Sequence, residues 1–377
     1  MQPTQVLAVL LVLVGVTLSY TSAQGANGAC RLAGGRAGMC RDLQSCPAVL
    51  QTMHRERPVI CGFRGRVAVV CCPTSGRTEP AQDISPPAVN FECGIQSQRT
   101  VFGGLLRPRA QPSANGRLPG TVSAVPPIAG GRDAEVNAWP WMAHLGESDA
   151  SGSIDWFCAG MLINEQWVLT AAHCFGRQAS VIRLGEHDTS DPNDGANPED
   201  FGAAATIAYP EYNETQAYHD IGLIRLNRRV NIQPYIRPLC LPWGAESNVD
   251  LVGRIVIVTG WGLTRQGGNV SPVLQEVAVT VFPTAQCDQF YKDHVSYNIL
   301  WPQGIGSESI CAGDRDGGKD ACKGDSGGPA VYLNTRGRYT LAGIVSVGVG
   351  CALREYPGLY ANVRQPQYLA WIKKVAF

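Results

Sequence analysis

Short runs of apolar and β-branched residues dominate the C-terminal two thirds of the chain. Five of them lie at 167–170, 221–226, 255–259, 277–281 and 341–347, and clusters of Gly, Pro and Asn separate them. Many short strands divided by turn residues are typical of an all-β barrel or sandwich. Only the end of the chain has helical spacing, because its last apolar residues fall on one face after Pro366.

Composition divides the remainder into two further regions. Residues 30–72 hold six cysteines and few apolar residues, which favours a small disulfide-bonded module. A zinc site is the alternative, disfavoured by the lack of a Cys-x-x-Cys pair or a His pairing. Residues 73–127 contain nine prolines and show no apolar periodicity, so an extended linker is expected before a β-rich region at 128–377.

The N-terminus resembles a secretory signal. An apolar run at 6–18 is followed by small residues up to Ala23, which predicts a signal peptide over 1–23. A membrane anchor is the alternative, but the run is short for a bilayer. Secretion into an extracellular fluid agrees with an even number of cysteines, 14, and with a glycosylation sequon at Asn213.

The charge balance excludes two classes of partner. Thirty-one Lys and Arg residues match 31 Asp and Glu residues, so the formal net charge is zero. Binding to nucleic acid or to an anionic membrane usually needs a basic surplus. We therefore expect neither partner.

Three residues of the β-rich region could form a nucleophilic site. A serine hydroxyl needs a base that takes its proton and a group that orients that base. Ser326 lies between an aspartate and two glycines, His173 precedes Cys174, and Asp220 stands before an apolar run. Each residue alone is more typical of a structural role, but together they match the requirements of serine catalysis.

The segments that carry these residues, TAAHC, HDIGLIRL and GDSGGP, occur in this order. They closely resemble the chymotrypsin-like serine proteases over residues 128–377. The resemblance implies two antiparallel six-stranded β-barrels with a C-terminal helix and an active site between the barrels. It also implies that His173 acts as general base, that Asp220 orients it and that Ser326 attacks the substrate. The N–H groups of Gly324 and Ser326 would form the oxyanion hole, and catalysis would require no cofactor.

The same resemblance indicates the substrate. Asp320 stands six positions before Ser326, where the family has the floor of its primary specificity pocket. A buried carboxylate there would bind Arg or Lys of the substrate; a solvated charge among other charged residues of the loop is the alternative. The other residues implied for the pocket and its edge are Ser346, Gly348 and Gly358. Val347 stands where the family commonly has tryptophan.

The N-terminal module ends in Cys-Cys-Pro and resembles the clip domain of arthropod proteases that act in haemolymph cascades. Sequence alone cannot choose among the possible pairings. For the module, the resemblance implies Cys30–Cys71, Cys40–Cys61 and Cys46–Cys72. For the rest of the chain, it implies Cys93–Cys240, Cys158–Cys174, Cys287–Cys311 and Cys322–Cys351.

An acidic loop at 186–200 could bind calcium. Relatives sometimes hold the ion in the corresponding loop through carboxylate and carbonyl oxygens. Glu186 and Glu199 would be its ligands here. A solvated acidic loop is the alternative.

The segment around the expected activation cleavage departs from the family pattern. Residues 128–131, Ile-Ala-Gly-Gly, match the start of a mature family protease, and Asp325 would pair with the freed amine of Ile128. Pro127 precedes this point, however, where a trypsin-like activator needs Arg or Lys. Three explanations are open. An activating protease of unusual specificity could cut after Pro127, or a cut at Arg117 could be followed by trimming. In the third explanation, Ile128 is never freed.

We therefore expect a secreted zymogen of a serine endopeptidase that cleaves after Arg or Lys. Clotting, prophenoloxidase activation and Toll signalling are the cascades that the resemblance suggests. Its partners would be protein substrates, themselves zymogens, an upstream activating protease and serpin inhibitors. The alternative is a non-catalytic clip-domain homologue that serves as a binding partner or cofactor.

Overall fold

The computed structural model describes residues 28–32, 37–46, 49, 58–64, 67–73, 82–96 and 131–377. The predicted signal peptide and Ile128 lie outside these residues. The chain divides into two compact units, and the second begins at Gln82. Among the described residues, no helix combines the length and the apolar character needed to cross a bilayer.

The N-terminal unit contains a four-stranded antiparallel sheet in the order β1-β2-β4-β3. Its strands are Ala29–Arg31, Ala37–Asp42, Ile60–Arg64 and Val67–Pro73, with a 3-10 turn at Leu43–Ser45. Disulfides join Cys30 to Cys71, Cys40 to Cys61 and Cys46 to Cys72. Because the described apolar core is little more than Cys46, Val49 and Val70, these bonds supply much of what a larger core would provide.

The second unit contains two curled antiparallel sheets. The first has the order β10-β9-β6-β7-β8-β12-β11. Its strands in chain order, β6 to β12, are Met142–Ser148, Ile154–Leu162, Trp167–Thr170, Val181–Leu184, Glu199–Phe201, Ala203–Ala208 and Gly222–Leu226. A 3-10 turn at Ala172–Gly176 follows β8 directly.

The second sheet has the order β13-β16-β17-β18-β15-β14-β5, and a further pairing of β13 with β14 closes it into a barrel. The two-residue strand β5 is Arg132–Asp133. The others, β13 to β18, are Ile255–Gly260, Gln275–Phe282, Ser309–Gly313, Pro329–Leu333, Tyr339–Val347 and Gly358–Ala361. Helices α1 to α3 are Thr284–Tyr291, Tyr297–Leu300 and Pro366–Ala376, and a third 3-10 turn is Gly244–Asn248.

This is the chymotrypsin-like fold that the resemblance implies, with one short strand more in each sheet than the expected six. The added strands are β10 and β5, of three and two residues. Valines alternate along β13 and β14 and pack into one apolar core, as the two-residue period of a strand requires. Helix α3 buries Tyr368, Leu369 and Ile372 against the core of the first sheet, and Pro366 stands at its start as expected.

Part of the expected linker belongs to the second unit. Residues 82–96 contain no helix or strand, yet Ile84 packs against the main apolar core. Cys93 is bonded to Cys240. The remaining disulfides join Cys158 to Cys174, Cys287 to Cys311 and Cys322 to Cys351, and no described cysteine is free. All seven bonds join the pairs that the resemblance implies.

Candidate active site

Strand pairing brings His173 and Asp220 together. His173 lies in the 3-10 turn after β8, and Asp220 stands two residues before β12. These strands are antiparallel neighbours, with Gly222 opposite Thr170. The end of one strand therefore meets the start of the other, and the two side chains face each other.

Two hydrogen bonds fix this pair. His173 Nδ1 lies 2.7 Å from Asp220 Oδ2, and the backbone N–H of His173 donates to Asp220 Oδ1 at 2.9 Å. An ionised carboxylate can only accept, so Nδ1 carries the proton and Nε2 keeps its lone pair. A ring in this tautomer can take a proton at Nε2.

The two groups shift each other's pKa. Burial alone would lower the pKa of His173, but the hydrogen bond and negative charge of Asp220 outweigh it, and the pKa is raised. Burial would raise the pKa of Asp220, but hydrogen bonds from His173 and Ser346 and the charge of His173 keep that pKa below its usual value. Asp220 therefore stays ionised beside a more basic imidazole.

Ser346 makes a contact that the sequence did not reveal. Its hydroxyl donates to Asp220 Oδ2 at 2.5 Å. The family resemblance implied only a place for Ser346 at the pocket and its edge. A lone serine within the apolar strand β17 was the available signal, because a half-buried hydroxyl there needs a partner.

The loop that carries Ser326 packs against the first sheet. The N–H of Ala159 donates to the carbonyl of Ser326 at 2.7 Å, and Cys174 Sγ lies 3.8 Å from the same oxygen. Because Cys174 follows His173, this contact holds the serine loop beside the histidine turn. Gly324 has a φ of 101°, and a Cβ there would come 2.9 Å from the Cα of Gly262. Only glycine suits this bend.

Ser326 and Asp320 line one cavity of 520 Å³. The other residues of the predicted pocket, Ser346, Gly348 and Gly358, line it as well. The disulfide between Cys322 and Cys351 ties two of its walls together. All the residues expected to bind substrate therefore surround a single space.

Asp320 is buried, with only 3% of its surface exposed. Its Oδ2 accepts a long bond of 3.3 Å from the N–H of Ala352, while no residue in the described part of the chain donates to its Oδ1. Burial raises the pKa of Asp320 to about 7. A Cβ on Gly358 would come 2.6 Å from Oδ1, so a side chain there would crowd the carboxylate. The cavity thus ends in an acid that has no cationic partner among the described residues.

Asp325 is fully buried directly before Ser326. Its Oδ1 accepts from the N–H of Gly262 at 2.8 Å, and its Oδ2 accepts from the N–H of Cys322 at 2.8 Å. Burial raises the pKa of Asp325 to about 6. Two backbone donors therefore hold a carboxylate whose charge is not compensated by any described cation.

Arginine side chains contact the acidic loop. Arg183 donates to both oxygens of Asp200, at 2.6 and 2.8 Å, and to Glu186 at 3.1 Å. Arg228 forms an ion pair with Glu199. The two predicted calcium ligands are therefore already neutralised by guanidinium groups. The spacing of Arg183 three residues before Glu186 was visible in the sequence.

The predicted glycosylation residue lies in a turn. Asn213 is exposed, and its Oδ1 accepts from the N–H of Thr215 at 3.0 Å and from the Thr215 hydroxyl at 2.9 Å. Asparagine commonly closes turns with this side-chain contact. The position is open to solvent, as a glycan would require.

Comparison with known proteins agrees with this geometry. The family model described as Trypsin matches residues 128–372. The proclotting enzyme of Tachypleus tridentatus is 33% identical over 89% of this chain and 86% of its own length. The serine protease snk of Drosophila melanogaster is 34% identical over 91% of this chain and 77% of its own length. Phenoloxidase-activating factor 1 of Holotrichia diomphalia is 32% identical over 92% of this chain and 93% of its own length. The chain belongs to the trypsin family of serine proteases and, within it, to the clip-domain proteases.

Proposed function

We propose that this chain is the secreted zymogen of an endopeptidase that cleaves protein substrates after Arg or Lys. The unpaired Oδ1 of Asp320, buried at the end of the cavity that Ser326 also lines, carries this proposal. A buried carboxylate is stable when a cation approaches it, and a guanidinium can donate to both of its oxygens. A long basic side chain can therefore neutralise Asp320 while its carbonyl lies beside Ser326.

Each residue of the triad has one task in this reaction. Ser326 Oγ attacks the scissile carbonyl and passes its proton to His173 Nε2, and the imidazolium then protonates the leaving amine. Asp220 holds the ring and stabilises the imidazolium. The N–H groups of Gly324 and Ser326 donate to the oxyanion. Water then hydrolyses the acyl-enzyme by the same steps, and catalysis in this family needs no cofactor.

Peptide substrates test the specificity. We expect activated protein to hydrolyse chromogenic peptides with Arg or Lys before the scissile bond, and to leave Phe, Leu and Glu peptides largely intact. The variant Ser326→Ala is the control, because it keeps the pocket and lacks the nucleophile. Equal turnover by the two proteins, or equal rates on all peptides, would contradict the proposal.

Activation is proposed to free Ile128. The new ammonium would neutralise Asp325, whose buried carboxylate contacts no described cation. Pro127 implies that the activating protease is not trypsin-like, or that trimming follows a cut at Arg117. The variant Pro127→Arg separates the zymogen from the non-catalytic alternative, because trypsin could then cut before Ile128. Activity after this cut supports the zymogen, whereas a clean cut without activity supports the non-catalytic alternative.

The names of the relatives suggest the kind of proteolytic cascade in which this protease acts. Their names include a proclotting enzyme and a phenoloxidase-activating factor. We propose that this protease likewise acts on zymogens in an extracellular cascade, downstream of an activating protease and under control by serpins. Incubation of the activated protein with purified haemolymph zymogens, with Ser326→Ala as control, would identify the substrate by the new N-terminus that it produces.

We further propose that the loop at 186–200 holds its shape without calcium. Arg183 and Arg228 already compensate the carboxylates of Glu186 and Glu199. A calcium ion would have to compete with these guanidinium groups for the same oxygens.

A further inference from the structure

Residues 82–96, called the strap below, cross the surface of the protease unit. Together with Trp243 and Phe377 they line a groove of about 690 Å³. The apolar side chains that the strap contributes to this groove are those of Pro86, Pro87, Val89 and Phe91. The strap has no regular structure, so its position depends on its contacts with the unit.

The N-terminal end of the strap is held by helix α3. Lys373 Nζ donates to Asp83 Oδ2 at 2.7 Å, to the carbonyl of Ser85 at 3.0 Å and to its hydroxyl at 2.9 Å. The Gly244 N–H donates to the carbonyl of Ile84 at 2.8 Å, and the Ile84 side chain packs on the core. One lysine thus uses all three of its donors on the strap.

The C-terminal end is held by the start of β17. Arg338 donates to Glu92 at 2.8 Å and to the carbonyl of Cys93 at 3.3 Å. Gly94 donates its N–H to the carbonyl of Pro238 at 2.9 Å and accepts from the N–H of Tyr339 at 2.9 Å. The two backbone hydrogen bonds of Gly94 join the strap to the protease unit directly after the disulfide between Cys93 and Cys240.

Gly94 permits this close approach. Its φ is 66°, and a Cβ on it would come 2.2 Å from the carbonyl oxygen of Tyr339. Only glycine adopts this conformation and also tolerates this contact. The strap is therefore fitted to its site at both ends.

We propose that the strap binds the protease unit by itself, so that the N-terminal part of the chain stays attached after cleavage before Ile128 even when the Cys93–Cys240 bond is open. The bond acts as a tether that keeps the local concentration of the strap high. The contacts of Lys373, Arg338 and Gly94 hold the strap on the surface of the protease unit. A thiol that reduces the disulfide therefore does not by itself release the clip-domain region.

A cleavage experiment on the full chain tests this. In a Ser326→Ala background, the recognition sequence of a site-specific protease is placed within 101–117, and Cys93 and Cys240 are both changed to Ser. After cleavage at about 10 μM protein, a fragment held with a Kd of about 1 μM would remain mostly bound. We expect both pieces to co-elute in gel filtration. Adding Lys373→Ala and Arg338→Ala should separate them, while Lys374→Ala combined with Arg229→Ala, an arginine that pairs with Glu165 and does not line the groove, should not.

A second measurement keeps the disulfide intact, so it tests the proposal even if the variant with Cys93 and Cys240 changed to Ser does not fold. The N–H of Gly244 has its acceptor, Ile84, in the strap, and the N–H of Tyr339 has its acceptor, Gly94, there too. Lys373→Ala should speed hydrogen exchange at Gly244 at least several-fold over Lys374→Ala, and should leave Tyr339 protected. The proposal would be overturned if the two cleaved pieces of a folded variant with Cys93 and Cys240 changed to Ser eluted separately. Equal hydrogen exchange at Gly244 in Lys373→Ala and Lys374→Ala would overturn it as well. Neither result depends on catalysis, so the proposed protease activity is tested apart from it.

Discussion

The hydroxyl of Ser346 donates to the carboxylate of Asp220 at 2.5 Å, so a residue of the second barrel holds an acid that precedes a strand of the first. Asp220 in turn holds His173 through two hydrogen bonds. The orientation of the proposed base therefore depends on how the two barrels meet. A change at this barrel contact should affect catalysis even where no substrate atom is touched.

Removal of this hydroxyl should lower turnover. A hydrogen bond to a charged group contributes about 1.5–3 kcal/mol, so Ser346→Ala should reduce kcat by about tenfold or more. Without this donor, the Asp220 carboxylate should be more basic but less firmly held, so the acid limb of the pH profile should move to higher pH while His173 is oriented less well for proton transfer. Ser346→Thr, which keeps a hydroxyl, is the control. Unchanged kcat and pH profile in Ser346→Ala would rule out this role.

The pH dependence should follow His173. Its pKa lies above the ordinary value of 6.5 because Asp220 outweighs burial, and only the neutral ring can accept the proton of Ser326. Activity should thus be present at high pH and fall as the pH drops through that raised pKa. The change Asp220→Asn should remove most activity, about 10⁴-fold, as the same change does in other triads of this type. A profile flat down to pH 5 would contradict the assignment of the base.

Binding of basic substrates should depend on the charge of Asp320. Burial raises its pKa to about 7, so its carboxylate should become increasingly protonated as the pH falls through 7. KM for Arg peptides should therefore rise as the pH falls below 7. A bound guanidinium favours the ionised form, so kcat should respond less than KM.

The change Asp320→Asn tests the same pocket at fixed pH. Loss of one partner of a buried charge pair costs about 2–5 kcal/mol, so kcat/KM for Arg peptides should fall at least about 30-fold. Hydrolysis of an uncharged peptide should change far less. Gly358→Ala, which would crowd the Asp320 carboxylate from the pocket wall, should lower Arg cleavage with the triad intact.

Calcium should leave thermal stability unchanged. We expect the Tm with calcium and with a chelator to agree, while Arg183→Ala should lower it, by about 2–4 °C for each kcal/mol lost. Arg229→Ala is the matched control, because Arg229 is mostly exposed and its ion pair with Glu165 lies at the surface. A large calcium-dependent rise in Tm of the unaltered protein would argue against an arginine-closed loop.

The sequence predicted much of this architecture because local patterns and motifs carried it. The strand predicted at 167–170 is present with the same bounds, and the final helix begins at Pro366 as expected. Strand pairing then explains why His173 and Asp220 meet. The short strand Glu199–Phe201 was not predicted, since three residues give no readable alternation.

The missed features are contacts between segments far apart in sequence. Nothing local in a proline-rich stretch indicates that Asp83 will meet Lys373, 290 residues later. The same holds for the bond from Ser346 to Asp220, which spans 126 residues. Such contacts form when distant segments of the chain pack together, and local secondary-structure propensities do not encode them. A single sequence therefore does not predict them.

The position of the strap determines what counts as the mature enzyme. A recombinant protease started at Ile128 would uncover Ile84's site on the core and leave Lys373 and Arg338 without their acceptors. Such a truncated protein should melt earlier and aggregate more readily than one expressed from Gln82 onward. Under the proposed activation, inhibitor screening and crystallisation are best carried out on the two chains linked as one particle, not on the catalytic fragment alone.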